Sequence, residues 1–126
     1  MANVLLLEPN QVLADTYALA LRRGGHVVMA VASAQQAIQA ADQLLPDIVV
    51  LELQLADHDG IEFLQEFRSY PEWQSLPAIV VTNLPPQALG AVRNVLRTDL
   101  SVSVCLYKPR VSLQKLLKLV AAEAQA

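Results

Sequence analysis

Two rhythms of apolar and polar residues alternate along this chain. Short, largely apolar runs at Val4–Leu7, His26–Val31, Ile48–Leu53, Ala78–Thr82 and Val102–Tyr107 have the length of strands. Between them apolar residues recur at three- and four-residue spacing, the period of a helix with one buried face. Val12, Leu13, Thr16, Tyr17, Ala20 and Leu21 mark a first helix, which Gly24-Gly25 ends. Ser33-Ala-Gln-Gln36 has the form of a capping box, and the helix it opens runs through Leu45. Asp59-Gly60 turns the chain into a third helix with Phe63, Leu64 and Phe67 on one face. Pro85-Pro86 opens a fourth, where proline suits the first turn, and Leu89, Val92 and Leu96 are its apolar face. Ser112 caps a fifth, which carries Leu113, Leu116, Leu117 and Val120.

The strand runs are continuous in apolar character, as when both faces of a sheet are covered. Strands alternating with helices then predict an α/β fold, a doubly wound five-stranded parallel sheet. Pro9-Asn10, Pro46-Asp47 and a Pro71–Pro77 loop carrying Trp73 punctuate the elements. No repeat, low-complexity tract or linker divides the chain, so residues 1–126 read as one domain.

Sheets of this kind gather their sites at the carboxyl ends of the strands. Those ends read Glu8, Glu52, Thr82 and Lys108. Glu52 follows four apolar residues, Ile48 to Leu51, and a charge placed there is costly unless it is paired or solvated. Any one of the four would pass as part of a solvated sheet edge. Two carboxylates, a hydroxyl and an ammonium converging on one edge make a candidate site.

At these residues the chain resembles the receiver domains of bacterial two-component response regulators, over essentially its whole length. Asp59-Gly60 follows Glu52 at the distance that the family keeps from its phospho-accepting aspartate, so Glu52 stands in that residue's place. Thr82, thirty positions beyond Glu52, falls where the family has its switch Thr or Ser. Lys108-Pro109 matches the family's lysine and the proline after it, a bond that is cis in family members. Pro77 and the turn at Asp47 also fit. The resemblance implies the (βα)5 receiver fold with flavodoxin-like strand order 2-1-3-4-5.

The departures from the family carry the functional reading. Receivers end the first strand in an acidic pair that holds Mg²⁺, and here the pair reads Glu8-Pro9. Proline offers no side-chain oxygen, so only Glu8, Glu52 and a neutral Asn10 remain to meet an ion that wants octahedral oxygen ligation. No cofactor is expected. Glutamate at position 52 is one methylene too long for a site built around aspartate, and a misplacement of about 1 Å can cost on the order of 10²-fold in rate. Loss of the metal removes further stabilisation. Glu52 is therefore read as a fixed charge, with Lys108 bridging Glu52 and Glu8, and Thr82 adding a hydrogen bond. Such a tie either imitates the phosphorylated form or only keeps the cleft paired. Three residues before the lysine the family usually has an aromatic that turns inward on activation; Cys105 stands there, so that switch is expected to be disabled. The segment from Thr82 to Lys108 is also a few residues longer than usual, which implies a remodelled fourth helix or following loop.

Composition sets the remaining bounds. The net charge is −3 with no Lys/Arg cluster, which argues against a nucleic-acid partner. No apolar run approaches the roughly 18 residues of a membrane span, and the N-terminus lacks the form of a signal peptide. The one cysteine fits a reducing compartment, so the expected location is cytoplasmic. A hydrophobic fraction of 54% suggests apolar surface covered by a partner, including a homodimer through the fourth and fifth helices, with Leu119 surplus to the core. His26, His58, Trp73, Tyr17 and Tyr107 read as structural. The function expected is a non-phosphorylatable pseudo-receiver, not an enzyme, that binds a histidine kinase, a regulator or an adjoining domain. The rival readings are a competent receiver accepting phosphate at Glu52 or Asp57, and an α/β module that binds a small ligand.

Overall fold

The computed structural model describes residues 1–56 and 59–124. Five strands form one parallel sheet in the order β2-β1-β3-β4-β5: β1 Asn3–Leu7, β2 Val27–Val31, β3 Ile48–Leu51, β4 Ala78–Thr82 and β5 Val102–Tyr107. Helices α1 (Gln11–Arg23), α2 (Ala34–Gln43), α3 (Gly60–Arg68) and α6 (Leu113–Ala124) cover its two faces, and the stretch between β4 and β5 is broken into short pieces. This is the strand order and doubly wound architecture expected.

The pleat explains why the strand runs carry no polar alternation. Leu5, Leu7, Val49, Leu51, Ala78 and Val80 point into one core with α2 and α3. Val4, Leu6, Ile48, Val50, Ile79 and Val81 point into the other with α1 and α6. Both halves of the central runs Val4–Leu7, Ile48–Leu51 and Ala78–Val81 are buried, so every position there is apolar, while the edge strands β2 and β5 keep exposed positions at Val27, Ala30 and Ser103. Trp73 sits in the first core with its ring stacked 4.8 Å from that of Phe67, and Tyr17 sits in the second.

Parallel register sets the functional edge. Leu7 pairs with Val31 on one side and with Leu51 on the other. Two hydrogen bonds extend the ladder past the strand ends, from Glu8 N–H to the Val31 carbonyl and from Glu52 N–H to the Leu7 carbonyl, both 3.0 Å. Glu8 and Glu52 are thereby fixed side by side at the edge.

Several boundaries differ from those predicted, each for a local reason. β3 ends at Leu51 rather than Leu53, because Leu53 and Gln54 curl back to donate to the Glu52 carboxylate. α2 ends at Gln43 rather than Leu45, since Pro46 disfavours helical backbone before it and Leu44 is already extended. Ser33 caps α2 as predicted by accepting from Gln36 N–H, but Gln36 reaches back to Ala32 N–H, one residue before the usual partner in a capping box.

The fourth helix shows the largest difference. Pro86–Leu89 forms a single turn (α4), Gly90 breaks it at φ 40°, and Val92–Asn94 (α5) runs into a π-helical turn over Val95–Asp99. Leu89 and Leu96 are nonetheless buried in the first core, with Val92 packed against it. The apolar face read from sequence is correct, but the helix carrying it is interrupted, in the segment where the resemblance implied remodelling. Leu119 packs against the second core and is not surplus.

Candidate functional site

The four polar residues at the strand ends meet. Glu8 and Glu52, the residues just after β1 and β3, and Thr82, the last of β4, are buried despite lying at the sheet edge. Lys108 follows β5 and reaches across the end of β4. Its Nζ lies 2.7 Å from Glu8 Oε1 and 2.8 Å from Glu52 Oε1. Lys108 therefore bridges the two glutamates, as the sequence led us to expect.

The second oxygens are engaged too. Glu8 Oε2 accepts from Asn10 N–H at 3.0 Å. Glu52 Oε2 accepts from Leu53 N–H at 2.7 Å and from Gln54 N–H at 3.2 Å, while Oε1 also accepts from Asn83 N–H at 3.1 Å. The Thr82 hydroxyl, which accepts from Leu84 N–H at 3.1 Å, also favours the charged form of Glu52. Among the described residues no buried side-chain nitrogen or oxygen lacks a partner.

These contacts set the ionisation of the cluster. Burial alone would push the Glu52 carboxyl up, but the bonds from Lys108, Thr82 and Gln54 outweigh it and hold the group below its ordinary value. Burial likewise pushes Lys108 down, and its bonds to Glu52 and Glu8 outweigh that and raise it. Both groups stay charged across the neutral range. Two carboxylates facing one ammonium leave a net charge of −1 in the cluster. Tyr17 lies within electrostatic reach, its phenol raised by burial, offset in part by Lys108 and reinforced by Glu8 and Glu52.

The remaining candidates are disposed around this cluster without joining it. Pro9 is exposed and brings no donor atom. The Asn10 side chain caps α1 by accepting from Leu13 N–H at 3.0 Å, so its oxygen is not turned to the carboxylates as a third ligand. Cys105 is half-buried against the first core, and burial raises its thiol, with Arg93 opposing and Glu52 reinforcing the shift. A protonated thiol there is a packing group rather than a reactive one. Among the described residues no peptide bond is cis, which corrects the expectation for Lys108–Pro109. Pro109 instead occupies a 3₁₀ turn over Lys108–Arg110, closed by Val111 N–H on the Lys108 carbonyl, where a missing proline N–H costs nothing. His26 Nδ1 accepts from Ala2 N–H, a structural contact. Asp57 and His58 lie outside the described residues.

Sequence reasoning missed the backbone donors. Among the described residues, the N–H groups of Leu53, Gln54 and Asn83 supply three of the four hydrogen bonds to the Glu52 carboxylate, Lys108 the fourth. No side-chain identity could have marked them. Chemically the arrangement is an anion held from all sides. The residues present do not fit a divalent ion as they stand, because an ammonium already lies between the two carboxylates and the neighbouring position is proline.

Comparison with known proteins bears on the fold and the family. The family model of the response regulator receiver domain matches residues 4–121. The KDP operon transcriptional regulatory protein KdpE of Escherichia coli is 34% identical over 82 residues, covering 65% of this chain and 35% of its own. The chain thus spans about a third of the length of the curated relatives it matches. The receiver domain of the Pseudomonas aeruginosa sensor histidine kinase PA1611, solved with a magnesium ion coordinated in its active-site cleft, superposes with a TM-score of 0.85 at 25% identity, over 99% of this chain and 98% of that one. Vibrio cholerae chemotaxis protein CheY4 gives 0.85 at 19% identity over 98% of both chains, a likeness of fold. With its strand order and the match over residues 4–121, the chain belongs to the response regulator receiver domain family.

Proposed function

We propose that this receiver domain signals without being phosphorylated. Glu52 stands where the family carries its phospho-accepting aspartate, and the domain acts as a cytoplasmic protein–protein interaction module in two-component-type regulation. The observation that carries this reading is the engagement of both Glu52 carboxylate oxygens by Lys108 and three backbone N–H groups. Donors of this kind hold an anion strongly. Here the acceptor's own charge occupies them, and that charge is permanent. Proline at position 9 and the small Cys105 support the same reading, since one removes a metal ligand and the other removes the aromatic of the family's output switch. The partner is a histidine kinase, a regulator or an adjoining domain, and a homodimer through the α4–α5 segment and α6 is a further mode of contact.

The test is incubation with acetyl phosphate and Mg²⁺, followed by intact mass measurement beside an aspartate-bearing receiver. The control takes up a phosphoryl group and this chain does not. A stable adduct on the wild type that is lost in Glu52→Gln or Asp57→Asn would sink the proposal. If the fixed charge imitates the phosphorylated form, Glu52→Gln also weakens partner binding, while acetyl phosphate leaves the affinity of the wild type unchanged.

A further inference from the structure

Glu8 Oε1 and Glu52 Oε1 converge on one point, at 2.7 and 2.8 Å, and that point is the Lys108 Nζ. Hard divalent ions take carboxylate oxygens in the same way but closer, at about 2.0–2.1 Å for Mg²⁺ and 2.3–2.6 Å for Ca²⁺. An ion entering the cleft must therefore displace the ammonium from two charge-assisted hydrogen bonds. It would gain little in exchange. Glu8 Oε2 is tied to Asn10 N–H, and Glu52 Oε2 to Leu53 and Gln54 N–H, so neither carboxylate is free to turn and chelate. Pro9 has no oxygen to offer, and the Asn10 side chain is committed to capping α1.

We propose that the Lys108 ammonium is the resident cation of this cleft: it excludes divalent ions, and its removal turns the Glu8–Glu52 pair into a divalent-cation site. The proposal rests on the charge geometry and not on the signalling reading, since a chain that refuses phosphate could still bind Mg²⁺. Without Lys108, two buried carboxylates face each other with a net charge of −2. They must either protonate or capture a cation from solution, and the backbone N–H groups behind them keep their Oε1 atoms aimed at the same place.

Thermal unfolding of the wild type and Lys108→Met, in chelator and then in millimolar Mg²⁺, Ca²⁺ or Mn²⁺, reads both halves of the proposal. The wild-type Tm does not move on adding the ions. Lys108→Met starts lower and gains roughly 5 °C with divalent ions, most with Ca²⁺, whose bond lengths come nearest to the present spacing. Adding Glu8→Gln to Lys108→Met removes one ligand and abolishes the gain. A wild type stabilised as much as the variant, or a variant indifferent to divalent ions, overturns the proposal. Should Lys108→Met not fold, Mn²⁺ titration of the wild type followed by NMR decides the exclusion by itself. Saturable broadening confined to the amides of Asn10, Leu53, Gln54 and Asn83 overturns it, and unchanged amides support it. Phosphate uptake is measured separately by mass, so a failure here and a failure of the signalling reading are told apart.

Discussion

At the scale of single residues, the domain turns on how three buried charges are balanced. Removing one partner of a buried ion pair typically costs about 3–5 kcal/mol, much of it from the charge left behind. Lys108→Ala leaves two such charges, and we expect destabilisation of that order in denaturant unfolding. Glu8→Gln in the Lys108→Ala background removes one of them and recovers part of the loss, and a double-mutant cycle isolates the coupling. A neutral Lys108→Ala would show that the bridge is not structural. The pH dependence follows from the directions of the shifts. Glu52 is depressed in the folded state, so its contribution is present above the unfolded carboxyl value and is lost as pH falls through the lower folded one. Lys108 is raised, so its contribution is complete below the unfolded lysine value and is lost as pH climbs through the higher folded one. Stability should therefore be flat through neutrality, fall in acid and fall again at strongly alkaline pH. Lys108→Ala should shrink the alkaline limb to the part that the raised Tyr17 and Cys105 groups contribute, which urea titrations across the pH range would show. The Lys108 bridge was legible in the sequence because strand-end positions identify side chains that must share an edge. The Leu53, Gln54 and Asn83 donors were not, because every residue but proline carries the same N–H.

At the scale of elements, two close fits place Glu52 and shape the surface beside it. Gly60 opens α3 directly against the end of β3, with its N–H on the Leu53 carbonyl at 2.6 Å. A Cβ built there would lie 2.6 Å from Leu53 Cα and 3.0 Å from the Glu52 carbonyl oxygen. Gly60→Ala must therefore push the backbone that aims the Glu52 carboxylate, at a cost of about 1–3 kcal/mol. Its effect should appear in the Leu53 and Gln54 amide resonances before it appears anywhere else. Arg68, at the end of α3, joins elements that the sequence did not connect. Its guanidinium donates to the carbonyls of Leu100 (3.0 Å), Trp73 (2.7 Å) and Ser101 (3.4 Å), the last a residue held at φ 54°. It thereby pins the turn that follows the π-helical stretch. Arg68→Met keeps the apolar stem but leaves those carbonyls without their donor, so hydrogen exchange should quicken across residues 95–102 while the sheet stays protected. The strands and the first three helices were legible because each is periodic and punctuated by a residue with one structural meaning. The broken fourth helix was not. Leu89, Val92 and Leu96 keep helical spacing through the break, and only Gly90, which lies inside that spacing, marks it in the sequence.

At the scale of the whole molecule, the same topology that builds the site also disposes of the apolar surplus. Strand order 2-1-3-4-5 brings Glu8 and Lys108, one hundred positions apart in the chain, to within 2.7 Å. It also gives the central strands two buried faces, and the two cores absorb most of the apolar composition that had suggested a covered surface. The large apolar side chains still exposed among the described residues are scattered: Met1 at the N-terminus, Val12 and Leu19 on α1, Val27 on β2, Leu44 and Leu45 after α2, then Tyr70 and Leu113. None lies between residues 86 and 99. On its β5 side that segment presents charge, since Arg93 and Arg97 stand with Cys105 and Ser103 around a groove along β5, a strand at the edge of the sheet, and Asp99 is close by in the chain, whereas towards α3 Ala88, Leu89 and Val92 line an apolar groove with Leu53, Leu55 and Ile61. A homodimer through this side would thus be held by exposed ion pairs rather than by an apolar patch. Exposed pairs are worth up to about 1 kcal/mol each and are screened over roughly 10 Å at 0.1 M salt. Self-association should accordingly be weak, strengthen at low ionic strength and be lost in Arg93→Glu/Arg97→Glu, with folding unchanged. Sedimentation equilibrium at two salt concentrations measures this. A tight dimer indifferent to salt would place the contact elsewhere, on the apolar residues of α1 or α6.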